Sequence, residues 1–233
     1  MSTIQVRSDE RMSSDSRSED RILSLPAERI LVVADGFGGP GSEGKGAAER
    51  ACSAVRQFLV HEAGDLEATL PFVMRSYFSL AGNVLFNALV HANRELLAAN
   101  TAKALHEKNG ASVAAAYLDG DMLSIASVGG CSAWFIREGR HTPLLIPRTW
   151  GRLVEPTLES RSPEGRIPLM AIGISEDLEP EVVEVRIRPG DQLWLGTFEP
   201  RSEELKGWLA GTGANSLKSE SYEPEFSWVL WGF

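Results

Sequence analysis

Asp35 is the residue best placed in this sequence to do chemistry. It ends an apolar run, Ile30 to Ala34, and six glycines follow between Gly36 and Gly46. A short apolar run rich in β-branched residues reads as a buried strand. Glycines beside it let backbone approach a ligand closely. A carboxylate at the end of a buried strand, with open backbone next to it, suits a hard cation, which takes oxygen ligands. It also suits a phosphate held near that cation. A second acidic pair, Glu19-Asp20, precedes a short strand candidate, Arg21–Leu25. Pro26-Ala27-Glu28 turns that segment into the next strand, which predicts a hairpin. Antiparallel neighbours bring the start of one strand beside the end of the other. The spacing therefore predicts Glu19, Asp20 and Asp35 at one end of a sheet.

The elements that must hold these groups follow from periodicity. Residues 43–60 read as a helix with Ala47, Ala51, Ala54, Val55, Phe58 and Leu59 on one face. A second helical region runs from about 66 to 108, with Gly82 as a divider or a packed contact. Its stripe Leu85, Leu89, Ala92, Leu96 and Ala99 reads as core. From Ser112 the period changes to that of strands: 112–118, 122–128, 132–137 and 141–146. Asp119-Gly120 and Glu138-Gly139 are the turns. Residues 147–166 read as a surface loop. Further strands are expected at 167–174, 181–187, 192–195 and 226–231, with a short helix at 201–210. Residues 1–16 are expected to be a flexible tail or an edge segment, and 17–233 a single domain. Strands, two long helices and then an antiparallel meander define an α+β chain.

Composition narrows the function. The net charge is -9 over 233 residues, which argues against nucleic acid as a partner. Cys52 and Cys131 have no CxxC spacing, so a disulfide framework or zinc site is not expected. No apolar run reaches the ~18 residues of a membrane span, and the N-terminus is polar. The expectation is a cytoplasmic protein.

Asp35-Gly36-Phe37-Gly38-Gly39 after Leu-Val-Val-Ala resembles the Asp-Gly-x-Gly-Gly motif of the metal-dependent protein phosphatases, the type 2C or PPM family. Ser18-Glu19-Asp20 is similar to that family's Glu-Asp pair. Ala92-Asn93, Gly110-Ala111-Ser112, Val128-Gly129-Gly130-Cys131-Ser132-Ala133, Arg137-Glu138-Gly139 and Pro189-Gly190-Asp191 fall in step with later motifs, so the resemblance covers about 17–200. It implies a four-layer αββα sandwich of two antiparallel β-sheets flanked by helices. It also implies Mn2+ or Mg2+ chemistry, in which two cations activate a water for attack on a phosphoserine or phosphothreonine. In that pattern Asp35 bridges the metals, Gly36 gives its carbonyl, and Glu19, beside Asp20, helps hold one ion. Arg17 is the candidate for the phosphate.

The rest of the pattern is broken. Phe198 stands where the family's Ser-Asp-Gly aspartate is expected, and Gly130 replaces the aspartate of Val-Gly-Asp-Ser-Arg. Glu223-Pro224-Glu225 stands near the final Asp-Asn. Glu199, Glu223 and Glu225 are the candidates to substitute. At most one cation site is expected, and with it a degenerate phosphatase that binds a phosphoprotein or signalling partner. The alternative is an active phosphatase.

A reading of another class is a P-loop nucleotide-binding protein, because Gly39-Pro-Gly-Ser-Glu-Gly44-Lys45-Gly46 nearly matches the phosphate-binding loop. Gly46 there replaces the hydroxyl that holds magnesium, and the later chain lacks βαβ order. His61, His91, His106 and His141 show no ligand spacing. Cys131 and Ser132 lack a nearby histidine. Trp194, Trp208, Trp228 and Trp231 read as core or sheet-face residues, with a partner surface as the alternative.

Overall fold

Apolar runs buried on both faces build the centres of two sheets, and the two long amphipathic helices cover one of them. The computed structural model describes residues 4–11, 19–38, 44–63, 74–158, 162–210 and 226–233. The strands are β1 (Gln5–Arg11), β2 (Asp20–Leu25), β3 (Ile30–Phe37), β4 (Gly110–Asp119), β5 (Met122–Val128), β6 (Ser132–Arg137), β7 (Arg140–Leu145), β8 (Glu181–Arg186), β9 (Gln192–Gly196) and β10 (Phe226–Gly232). The helices are α1 (Gly44–Ala63), α2 (Leu80–Asn100), α3 (Trp150–Leu153) and α4 (Ser202–Leu209), with a short 3-10 turn at Leu105–Glu107.

One five-stranded sheet has the order β2-β3-β4-β5-β8 and the other β1-β10-β9-β6-β7. All neighbours are antiparallel. Period-two alternation sends each strand's residues to two different layers. In β3, Leu31 and Val33 join Ala114, Ile125, Leu195 and Val229 between the sheets. Ile30, Val32 and Ala34 instead meet Ala51, Val55, Leu85 and Leu89 of α1 and α2. On the far side, Trp194, Trp228 and Leu230 pack under Leu205 and Trp208 of α4. The layers are thus α1/α2, sheet, sheet, α4, as the resemblance implies.

Several expectations are revised. Gln5–Arg11, assigned to the tail or an edge, is an edge strand paired with β10 from Gln5↔Gly232 to Arg11↔Phe226. Segment 167–174 is not a strand and makes only isolated bridges, Thr149↔Pro168 and Ala111↔Ile172. Gly173, at φ +91°, bends it. Asn93 Oδ1 accepts from the Gly173 N–H at 2.7 Å, and Asn93 Nδ2 donates to the Ser175 carbonyl at 2.8 Å. Asn100 Nδ2 adds a bond to the Gly173 carbonyl. These α2 asparagines satisfy backbone that a strand ladder would otherwise pair. The 147–166 loop contains α3. The second helix starts at Leu80, where Ser79 caps it by accepting from the Gly82 N–H; residues 64–73 lie outside the described residues. Gly82 does not divide the helix but fills a packed contact, since a Cβ there would lie 2.6 Å from Glu184 Oε1. The β4–β5 turn centres on Gly120 and Asp121, one residue later than read, with Gly120 at φ +61°.

Candidate functional site

The β2–β3 hairpin sets Asp20 directly opposite Asp35. Asp20 is 8% exposed, and Asp35 is half-buried. Glu19 sits immediately before β2, and its carbonyl accepts from the Gly36 N–H at 3.1 Å. The start of α1 closes on this corner. A Cβ on Gly36 would lie 2.0 Å from the Gly44 carbonyl oxygen, and one on Gly44 would lie 2.7 Å from Glu19 Oε1. Both glycines are therefore required by close approach. The sequence placed Glu19, Asp20, Asp35 and Gly36 together, and they are together.

The second sheet reaches this corner through Thr197, the residue after β9. Thr197 Oγ1 donates to Asp20 Oδ2 at 2.8 Å and accepts from the Ser227 N–H at 3.0 Å. Both Thr197 and Ser227 are buried. One hydroxyl thus links the two sheets across the acidic pair.

Arg166, which the sequence reading did not single out, is a cation that the described residues bring to the site. Its Nη2 lies 3.6 Å from Asp35 Oδ2. No motif marks it, because it sits in a segment of mixed Arg, Glu, Pro and Ser. Burial, then the facing Asp20 carboxylate, raise Asp35 to about 8; Arg166 opposes that rise and Glu19 adds to it. Loss of hydration disfavours the charged form, and a like charge nearby adds to the effect.

The expected second half of a metal site does not assemble among the described residues. Phe198 turns into the aromatic cluster, edge-on to Trp194 and Trp208 at 5.7 Å each and 4.5 Å from Phe226. The Glu199 carboxylate is engaged by Arg152 of α3. At Gly130 an added Cβ would meet Ser112 Oγ at 3.5 Å and Thr149 Cγ2 at 3.6 Å, which is ordinary contact. Space for the first atom of a side chain is there, but the sequence supplies none. Arg17, Glu223 and Glu225 lie outside the described residues. Among the described residues no group of three or more His, Cys, Asp or Glu side chains is placed to hold a metal ion. A two-cation cluster therefore does not fit these residues. What remains is donor chemistry for one hard cation: the Asp35 and Asp20 carboxylates and the Gly36 carbonyl, with Glu19 alongside.

Other candidates resolve as structure. Cys52 and Cys131 are buried and free, and burial raises both thiols, Cys52 to about 12. Ser132 Oγ donates to the Phe198 carbonyl. Trp194 and Trp228 are core under α4, packed against Trp208 of that helix. Trp231 faces the space between the sheets, and its Nε1 donates to Ser24 Oγ at 3.0 Å. The glycine loop before α1 follows a strand flanked antiparallel on both sides, not the βαβ setting a P-loop needs. That reading is set aside.

This architecture is the fold of the metal-dependent protein phosphatases. The catalytic domain of the Ser/Thr phosphatase PstP, solved with two manganese ions, superposes with a TM-score of 0.68 at 19% identity, over 98% of this chain and 96% of that one. PppA, a key regulatory component of T6SS in Pseudomonas aeruginosa, gives 0.68 at 18% identity over 100% and 99%. MsPP, a PPM Ser-Thr phosphatase of Mycobacterium smegmatis in complex with cacodylate, gives 0.68 at 16% over 98% and 97%. No protein-family model matches the sequence, and no curated protein does. Among the described residues no helix is long and apolar enough to cross a membrane.

Proposed function

We propose that this chain is a degenerate phosphatase-fold protein, a binding or regulatory module in phosphoserine/phosphothreonine signalling. Its partner is a phosphoprotein or signalling protein, and it acts in the cytoplasm. One observation carries this reading: after β9, Phe198 is packed among aromatic rings and Glu199 is paired with Arg152. The position that would give a second cation its carboxylate supplies none. One metal cannot clamp both the attacking and the leaving oxygen. At most one Mn2+ or Mg2+ is bound, weakly, through Asp35, Gly36 and the Glu19-Asp20 pair.

The test is hydrolysis of a phosphothreonine peptide and of a small aryl phosphate in millimolar manganese, with Asp35→Ala as the control. The expected result is no turnover above the control. Turnover that Asp35→Ala abolishes would establish the other reading, an active phosphatase. The Asp20↔Asp35 pairing favours that reading, and it would require Glu223 or Glu225 to replace the missing aspartate.

A further inference from the structure

We propose that Arg166 supplies, from within the chain, the positive charge that a divalent cation would otherwise bring to Asp35, so that its guanidinium and a metal ion compete for that carboxylate. The inference rests on the reading of a site without a second metal, and its test is separate from the test of turnover.

The geometry that leads to it is local. Asp20 accepts a hydrogen bond from a neutral group, Thr197 Oγ1, whereas Asp35 faces a cation, Arg166 Nη2 at 3.6 Å. Both side chains of the ion pair are about a quarter exposed, 26% for Arg166 and 29% for Asp35, so water screens the pair only in part. This counter-charge stays beside Asp35 unless the loop bearing it moves or a stronger cation displaces it.

The loop is built to hold that position. The Trp150 N–H donates to the Ile167 carbonyl at 2.8 Å, and the Gly151 N–H to the Gly165 carbonyl at 3.1 Å. Gly151 and Gly165 are in such close contact that a Cβ on Gly151 would lie 2.7 Å from Gly165 Cα. Just before Arg166, Ser162 accepts twice: its Oγ from the Gly165 N–H at 3.0 Å and its carbonyl from the Arg166 N–H at 3.1 Å. The strand of loop facing it is anchored in turn, because Arg152 of α3 is paired with Glu199. The two residues after Thr197 thus oppose a second metal in different ways. Phe198 removes a ligand, and Glu199 ties down the segment against which the Arg166 loop is hydrogen-bonded. A metal at Asp35 would have to approach a side chain already facing a guanidinium that a hydrogen-bonded loop carries.

The experiment is calorimetric titration of the full chain with manganese chloride, alongside thermal unfolding in chelator to confirm folding. Wild type is compared with Arg166→Gln, Arg166→Lys and the double variant Arg166→Gln/Asp35→Asn. The expected result is at least tenfold tighter manganese binding in Arg166→Gln, affinity near wild type in Arg166→Lys, and loss of the gain in the double variant. Equal affinity in wild type and Arg166→Gln overturns the proposal. So does an Arg166→Lys gain equal to that of Arg166→Gln, since charge would then not be the cause. If Arg166→Gln does not fold, Arg152→Gln, which frees the anchor at Glu199, is expected to bind manganese at least threefold tighter; unchanged affinity there overturns the proposal. Phosphatase activity in wild type would refute the proposed function yet leave these affinity ratios to decide the role of Arg166.

Discussion

Gly36→Ala tests whether the acidic corner depends on contact between β3 and the start of α1. The new Cβ would lie 2.0 Å from the Gly44 carbonyl oxygen, 2.6 Å from its carbon and 3.0 Å from the Glu19 carbonyl oxygen. The Gly44 oxygen must retreat by about 1.4 Å to reach the 3.4 Å at which ordinary contact begins. Every atom met is backbone, so no side chain can swing away, and the cost falls near the ~3 kcal/mol upper end usual for overpacking. Alanine restricts the unfolded chain and returns up to ~1 kcal/mol. The net loss is about 2 kcal/mol, which for a chain of this size lowers Tm by about 4–8 °C. Gly46→Ala is the matched control. A Cβ there meets nothing within 4 Å, and alanine in a helix is favoured over glycine by about 0.5–1 kcal/mol. Thermal unfolding monitored by circular dichroism should therefore move in opposite directions for the two variants. Equal shifts, or a Gly36→Ala Tm within 2 °C of wild type, would refute the argument.

Three further outcomes are expected. Asp35 has a raised folded value of about 8 against an ordinary 3.8, so its contribution to stability is fully present below pH 3.8 and is lost as pH rises through 8. In chelator, Asp35→Asn should thus be more stable than wild type at pH 9, by more than any difference at pH 4; urea unfolding at both pH values checks this, and equal differences would contradict it. Asp191 is held below the usual carboxylate value chiefly by its hydrogen bonds to Arg137, so that contribution is present above the ordinary value and is lost as pH falls through the folded one. Arg137→Gln should destabilise the protein at neutral pH and flatten the acid limb of the stability profile, read by acid titration of the circular dichroism signal. Phe198→Asp would restore the expected residue type but place a carboxylate among Trp194, Trp208 and Phe226; denaturant unfolding should show a loss of about 3–5 kcal/mol, with no manganese-dependent turnover gained.

The acidic corner was legible because it is set by local chain geometry. A short turn between two strands is enough to put Asp20 opposite Asp35, and the glycine run announces the close approach of α1. An α+β chain was legible from the change of period at Ser112 and from the spacing of apolar residues in the helices, and its two-sheet layering from the resemblance of its motifs to the metal-dependent phosphatases. Arg166 was not legible, because nothing local distinguishes it from Arg148, Arg152 or Arg161; its role depends on a loop that meets a strand far away in sequence. The 167–174 segment misled for a related reason. Its apolar residues are those of a strand, but Gly173 and the two α2 asparagines decide its path from outside the segment. At β1, polar composition concealed an edge strand, which needs a partner on one side only.

The aromatic layer beneath α4 has an optical consequence. Trp194 and Trp208 stack with ring planes 2° apart and centroids 6.1 Å apart, and Trp228 stacks on Trp208 at 5.7 Å. Indoles this close and this nearly parallel share their electronic excitation, so the native protein should show a coupled signal in the near ultraviolet that disappears on unfolding. Phe198 touches this stack and directly follows Thr197, whose hydroxyl holds Asp20. A shift at the acidic corner is therefore mechanically linked to a group of chromophores. Manganese titration of the unlabelled protein is therefore expected to change its tryptophan emission, and an unchanged spectrum on binding would refute the link.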